Sequence, residues 1–244
     1  MIDPVPPNQR IQLQIAYSGV SDVEQENINF AQSPSRRSKT VSRRGILVTG
    51  AIAGVAGALG IPALADRAVA ASDTDKKNDI KILNNALFYE HQAIWAYNFA
   101  AGKLTNTDVG KAVLALALRN QADHKQHRDA LTAAIKSLGG TPVKAESSYD
   151  VSSYIKKKEG NVDSDVNIAK LALALETDAA IAYTTEVAKL KTPALIMAGA
   201  SIGSTESAHA AAIRATFKSL GVNIEIVPSS FVNADNRSAW VLTV

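Results

Sequence analysis

The chain has 244 residues, 46% of them apolar but only 5% aromatic, with no cysteine and a formal charge of +3. That length suits one or two domains, and the missing cysteines exclude disulfides, thiolate metal sites and cysteine nucleophiles. Residues 1–70 carry seven basic and five acidic side chains; the remaining 19 basic and 18 acidic leave the body close to neutral, so the charge makes no case for a nucleic-acid partner.

Residues 1–40 are polar, rich in Pro, Gln, Asn and Ser, and read as a disordered extension. Residues 41–70 then read as a signal peptide. Arg43 and Arg44 precede 21 uncharged residues, Gly45–Ala65, and small-x-small cleavage motifs follow at Ala63-Leu64-Ala65 and Ala68-Val69-Ala70. The arginine pair after Ser42 resembles a twin-arginine signal, which exports folded proteins. The alternative is a membrane anchor, but the many Ala and Gly residues and Pro62 make insertion weak. The expectation is a periplasmic or otherwise exported protein, cleaved near Ala65 or Ala70. The twin-arginine machinery is its export partner, and no stable anchor remains after cleavage. A start at Val41 would give a signal of ordinary length.

From residue 71 the pattern is helical, as the abundance of Ala suggests. A first helix follows Ser72/Asp73 and runs to about Ala101, with Leu83, Leu87, Glu90, Ile94 and Tyr97 on one face. A second starts near Thr107/Asp108 and stops at Gly139-Gly140; its stripe is Ala117, Gln121, His124, His127, Leu131, Ile135 and Leu138. The stretch 140–163 is too long for a turn, and a short helix is expected within it. A third long helix begins after Ser164 or Asp165, with Ala172, Glu176, Ala180, Tyr183, Val187 and Leu190 aligned. The fourth opens on Thr192-Pro193, a cap followed by proline, and aligns Ile202, Glu206, His209, Ile213, Phe217 and Leu220. Residues 223–244 read as a non-helical tail pinned by Phe231 and Trp240.

The chain repeats itself. "ALFYEHQAIWAY" (86–97) matches "ALALETDAAIAY" (172–183), aligning Glu90 with Glu176 and Tyr97 with Tyr183. "HKQHRDALTAAIKSLG" matches "ESAHAAAIRATFKSLG", aligning His124 with Glu206 and His127 with His209. Two helical hairpins joined by one long crossover make an all-α four-helix bundle of residues 71–222 with ferritin-like connectivity.

Each long helix thus carries an acid or imidazole on its apolar stripe, which costs several kcal/mol unless partnered. Positions i and i+3 share a helix face about 5–6 Å apart, close enough to converge on one ion. Carboxylate and imidazole donors suit Fe or Mn, with Zn also compatible. The motif order resembles the ferritin-like superfamily of di-iron and di-manganese carboxylate proteins, nearest to its exported bacterial members. In that family two helices give one Glu each and two give Glu-x-x-His. The resemblance implies metal ligation by Glu90, His127, Glu176, Glu206 and His209. His124 stands where the family has a glutamate, and imidazole does not bridge metals as a carboxylate does. Asp123 is a poor substitute, about 100° around the helix and one methylene shorter. A two-metal site of three Glu and three His is favoured, with one metal or none as the alternatives. His91 reads as a surface or supporting residue; Tyr97 and Tyr183, two turns from the acids, read as core packing, with hydrogen bonding behind the ligands or a redox relay as the alternative.

Two functions fit. One is an exported protein binding Fe or Mn, with oxidase, peroxide or iron-handling activity. The other is a non-catalytic, stress-associated or structural envelope protein with a degenerate site. Whether it is an enzyme, its substrate and its oligomeric state are not legible.

Overall fold

A computed structural model describes residues 72–244. The proposed disordered extension and signal peptide lie outside the described residues. The fold is all-α, with no strand among the described residues: α1 (Asp73–Ala101), α2 (Asp108–Ser137), α3 (Ser152–Lys156), α4 (Asp165–Val187), α5 (Pro193–Ser219) and α6 (Arg237–Trp240). α1 packs on α2 and α4 on α5 as hairpins, with residues 138–164 crossing between them. No described helix is long and apolar enough to cross a membrane.

Three of the four long helices start on the caps the sequence suggests. Ser72 accepts from the backbone N–H of Asp75, Thr107 from Gly110 and Ser164 from Asn167, each closing an orphaned N-terminal donor. The fourth differs. Thr192 makes no capping bond, and its hydroxyl is buried without a partner. Asp79 of α1, fully buried, instead reaches across the bundle and accepts from the backbone N–H groups of Lys191 and Thr192 at 2.9 and 3.0 Å. Its repeat counterpart, Asp165 of α4, accepts from the N–H of Thr105 at 2.9 Å in the loop before α2. Each hairpin therefore uses an acid of its first helix to secure the turn of the other.

The core is two apolar layers. Leu83, Leu87, Leu131, Ile135, Leu190, Leu195 and Ile202 form one; Val113, Ile168, Leu173, Ile213, Phe217 and Trp240 form the other. Between them lies the layer of acids and imidazoles. The register across α4 and α5 depends on Gly203, where an added Cβ would sit 2.9 Å from the Cβ of Tyr183. The crossover presses on α4 at Gly160, at φ +123°, where a Cβ would lie 2.2 Å from the backbone nitrogen of Leu171.

The tail is not wholly non-helical: a 3-10 turn at Ala234–Asn236 leads into α6. Trp240 is buried and donates its indole N–H to the Phe231 carbonyl. Phe231 itself is 68% exposed, so its backbone, not its ring, takes part in the anchor. Arg237 supplies the rest, with forked hydrogen bonds to Glu159 of the crossover and Asp178 of α4. Leu220 also departs from its predicted stripe and is exposed at the end of α5.

Candidate metal centre

All six residues singled out from sequence meet in the middle layer, none more than 9% exposed. They fall into two overlapping groups: Glu90, His124, His127 and Glu206, and His124, Glu176, Glu206 and His209. Within each group the donor atoms lie within 4.8 Å of one another. His124 and Glu206 belong to both, the aligned positions of the two hairpins.

His124 occupies the centre. Its Nδ1 lies 2.8 Å from Glu90 Oε2, and its Nε2 lies 3.1 Å from Glu176 Oε1. The ring thus links the single glutamates of the two hairpins, one nitrogen to each. Around it the repeat is visible in space. Tyr97 of α1 donates to Glu176 of α4, and Tyr183 of α4 donates to Glu90 of α1. Both tyrosines, expected as packing residues, orient a glutamate of the opposite hairpin, and Asn120 donates to the Tyr97 oxygen at 3.1 Å.

The electrostatics follow from crowding. Burial raises the Glu90 carboxyl, but His124 and His127 more than reverse this and bring it down to about 2. Glu176 is likewise held well below the ordinary range against its burial, by His124 and His209. Burial opposes the imidazolium of His127, yet Glu206 and Glu90 push it up to about 9; Glu176 and Glu206 push His209 up to about 10 against the same opposition. Glu206 is the exception. Burial, with Glu176 adding to it, leaves its carboxyl above the usual value despite the imidazoles around it.

His127 Nδ1 and Glu206 Oε1 face each other at 2.9 Å, both buried and without an aligned hydrogen bond. A buried imidazole nitrogen and carboxylate oxygen held together by charge but poorly aligned with each other can both turn their lone pairs on a cation. His209 presents the same nitrogen inward, with Nδ1 at 3.1 Å from Glu206 Oε2 and 3.3 Å from Glu176 Oε2. The residues fit a metal.

Asp123, set aside as a substitute ligand, joins neither group. It takes a different place: its Oδ2 lies 3.2 Å from His209 Nε2, and Arg119 holds its other oxygen at 2.6 Å. A carboxylate behind a ligating imidazole fixes its tautomer and aim. No feature of Asp123 on its own helix signals this, since its partner is 86 residues away. His91 stays outside the cluster, with its Nε2 3.3 Å from the Val143 carbonyl of the crossover. Replacing Asp123 by Ala is expected to weaken Mn2+ binding about 10–100-fold at the His209 position alone. Two-phase metal titrations would read this; an equal loss in both phases would refute it.

A family model described as ferritin-like domain matches residues 78–219. The chain belongs to the ferritin-like domain family. Among solved structures, that of a conserved hypothetical protein, rv2844, from Mycobacterium tuberculosis is similar, with a TM-score of 0.51 and 20% identity over 62% of this chain and 98% of that one. At that identity the likeness concerns the fold alone. No curated protein matches the chain. As a ferritin-like protein it has a buried Glu/His cluster compatible with binding metal, in the layer where the two hairpins meet.

Proposed function

We propose that this ferritin-like protein holds Fe or Mn through Glu90, His124, His127, Glu176, Glu206 and His209, in two adjoining positions, and that it works outside the cytoplasm after twin-arginine export. The observation that carries the reading is the convergence of two buried four-residue groups that share His124 and Glu206, with His127 Nδ1 and Glu206 Oε1 facing each other without an aligned hydrogen bond. The all-oxygen and imidazole donor set favours Fe or Mn. Such a metal supplies open coordination positions and reversible oxidation toward dioxygen or peroxide. The chain's residues do the rest: Tyr97 and Tyr183 fix the two single glutamates, Asp123 aims His209, and the apolar layers close the bundle above and below the site. Export rests on Arg43, Arg44 and the alanine cleavage motifs.

A second reading is favoured by one feature. Without metal, His124 already satisfies both nitrogens on Glu90 and Glu176. Three imidazoles and three carboxylates can then neutralise one another, and the layer would be a buried polar network in a non-catalytic envelope protein.

The two readings part on protein purified from its export compartment without added metal. About two Fe or Mn per chain supports the first; none, with an unchanged melting temperature after EDTA, supports the second. Mass spectrometry on the same sample should find the chain starting near Asp66 or Ala71, and a peptide from residues 1–40 in mature protein would overturn the export reading. Proton linkage gives a further check. With His127 at about 9 and His209 at about 10, both rings hold protons at pH 7 that a metal must displace. Raising the pH removes that competition. Apparent Mn2+ affinity should therefore climb about tenfold per pH unit for each proton displaced, until the pH passes about 9. Calorimetry in buffers of differing ionisation heat counts those protons; pH-independent binding would count against these ligands.

A further inference from the structure

Between α1 and α4, where the hairpins face each other, the helices do not interlock. The facing residues are alanines in register with the repeat: Ala86, Ala93 and Ala96 on α1, and Ala172, Ala179 and Ala182 on α4. Methyl groups leave space between the two helices, and a cavity of about 440 Å³ remains. Protein interiors otherwise pack closely, and a volume of this size lined mainly by apolar side chains lies in the range of small-molecule sites. The alanines span eleven residues of each helix, about 15 Å of rise. The lining runs further, from Asn85 to Ala100 on α1 and from Ile168 to Glu186 on α4, so the volume is drawn out along the helices as a slot that suits a chain better than a ring system.

The floor of the slot is polar: Glu90, His124 and Glu176 line it. The rim carries two further acids, and both are already paired, Asp178 with Arg237 and Glu186 with Lys189 at 2.6 Å. No lysine or arginine is among the residues that line it. In the metal-free protein an anionic amphiphile would meet carboxylates at the floor, with His124 already paired to both, and no free cation at the rim, whereas an uncharged one meets apolar walls and polar ends.

We propose that the slot binds an uncharged molecule with a straight alkyl chain, laid along the two alanine faces with one end against Glu90 and Glu176. As a substrate assignment this rests on the metal-centre reading; as a binding site it does not.

The test is calorimetric titration of the mature chain, with 1-decanol as the probe in metal-loaded and EDTA-treated protein and decanoate as the second probe in EDTA-treated protein. The expected result is saturable binding of one 1-decanol per chain and decanoate binding at least about tenfold weaker, as an unpaired charge entering a carboxylate-floored slot requires. Ala93→Leu with Ala179→Leu should fill the slot and weaken 1-decanol at least about tenfold with metal content unchanged. If that pair does not fold, Ala96→Leu with Ala182→Leu narrows the slot at two levels, about one turn to either side, because α1 and α4 run antiparallel. No saturable 1-decanol binding, decanoate binding as tightly, or an undiminished affinity in a folded leucine variant overturns the proposal. A chain that is purified without metal and takes up no Fe2+ or Mn2+ on titration, yet binds 1-decanol through the slot, would sink the metal reading and leave the slot standing.

Discussion

Glu206→Gln and Glu176→Gln are expected to behave differently although both are buried glutamates of one cluster. Each should lower Mn2+ or Fe2+ affinity by more than about a hundredfold, beyond what loss of an orienting group costs. In EDTA-treated protein the two separate. Glu176 accepts from Tyr97 and faces both His124 and His209, so it is ionised and fully partnered. Removing its charge leaves cationic imidazoles uncompensated inside the protein, which costs about 3–5 kcal/mol. Glu206 has one oxygen without a hydrogen bond, and its carboxyl is pushed toward the neutral form by burial. An isosteric neutral amide there should cost less, about 1–2 kcal/mol, because Glu90 still faces His127 and Glu176 still faces His209. Urea unfolding with and without metal measures both. Equal destabilisation by the two variants would mean that Glu206 is partnered in the metal-free protein, and metal retained by the Glu206 variant would remove it from the ligand set.

Asp79→Ala is expected to cost about 3 kcal/mol, the sum of a lost helix cap and two part-buried backbone donors left without an acceptor. For a chain of this size that is a drop of about 6–12 °C in melting temperature. The effect is large because Asp79 is fully buried and is the acceptor for Lys191 and Thr192, while the hydroxyl of Thr192 does not replace it. Asp79→Asn keeps an acceptor and should recover more than half of the loss. The counterpart Asp165→Ala should cost less, because its bonds to Thr105 and Thr107 are solvent-exposed. A loss below about 1 kcal/mol at Asp79 would show that the turn before α5 holds without it.

The repeat made the layer of acids and imidazoles legible. Glu90 and Glu176 recur on the apolar stripe with the same neighbours, and His127 and His209 follow their partners by three residues. Helical periodicity then turns spacing into a shared face. Asp123 and the two tyrosines were harder to read because their roles depend on which helix lies opposite. Tyr97 and Glu176 are 79 residues apart, and Tyr183 and Glu90 are 93 apart. No local pattern records that pairing. Thr192 shows the same limit from the other side: Thr-Pro is a sound capping signal, but a buried aspartate from α1 had taken the donors.

By itself, the sequence determined the four long helices, the hairpin duplication, the all-α ferritin-like class and the six inward polar residues. These depend on period, capping chemistry and self-similarity, which act within a few turns of one helix. Only the tertiary structure decided the crossed contacts between hairpins, the central place of His124 between two glutamates, the facing but unaligned atoms of His127 and Glu206, and the slot left between two alanine faces. Those follow from how far apart α1 and α4 settle and how they are rotated. That is set by packing across the whole bundle, and no stretch of sequence encodes it alone.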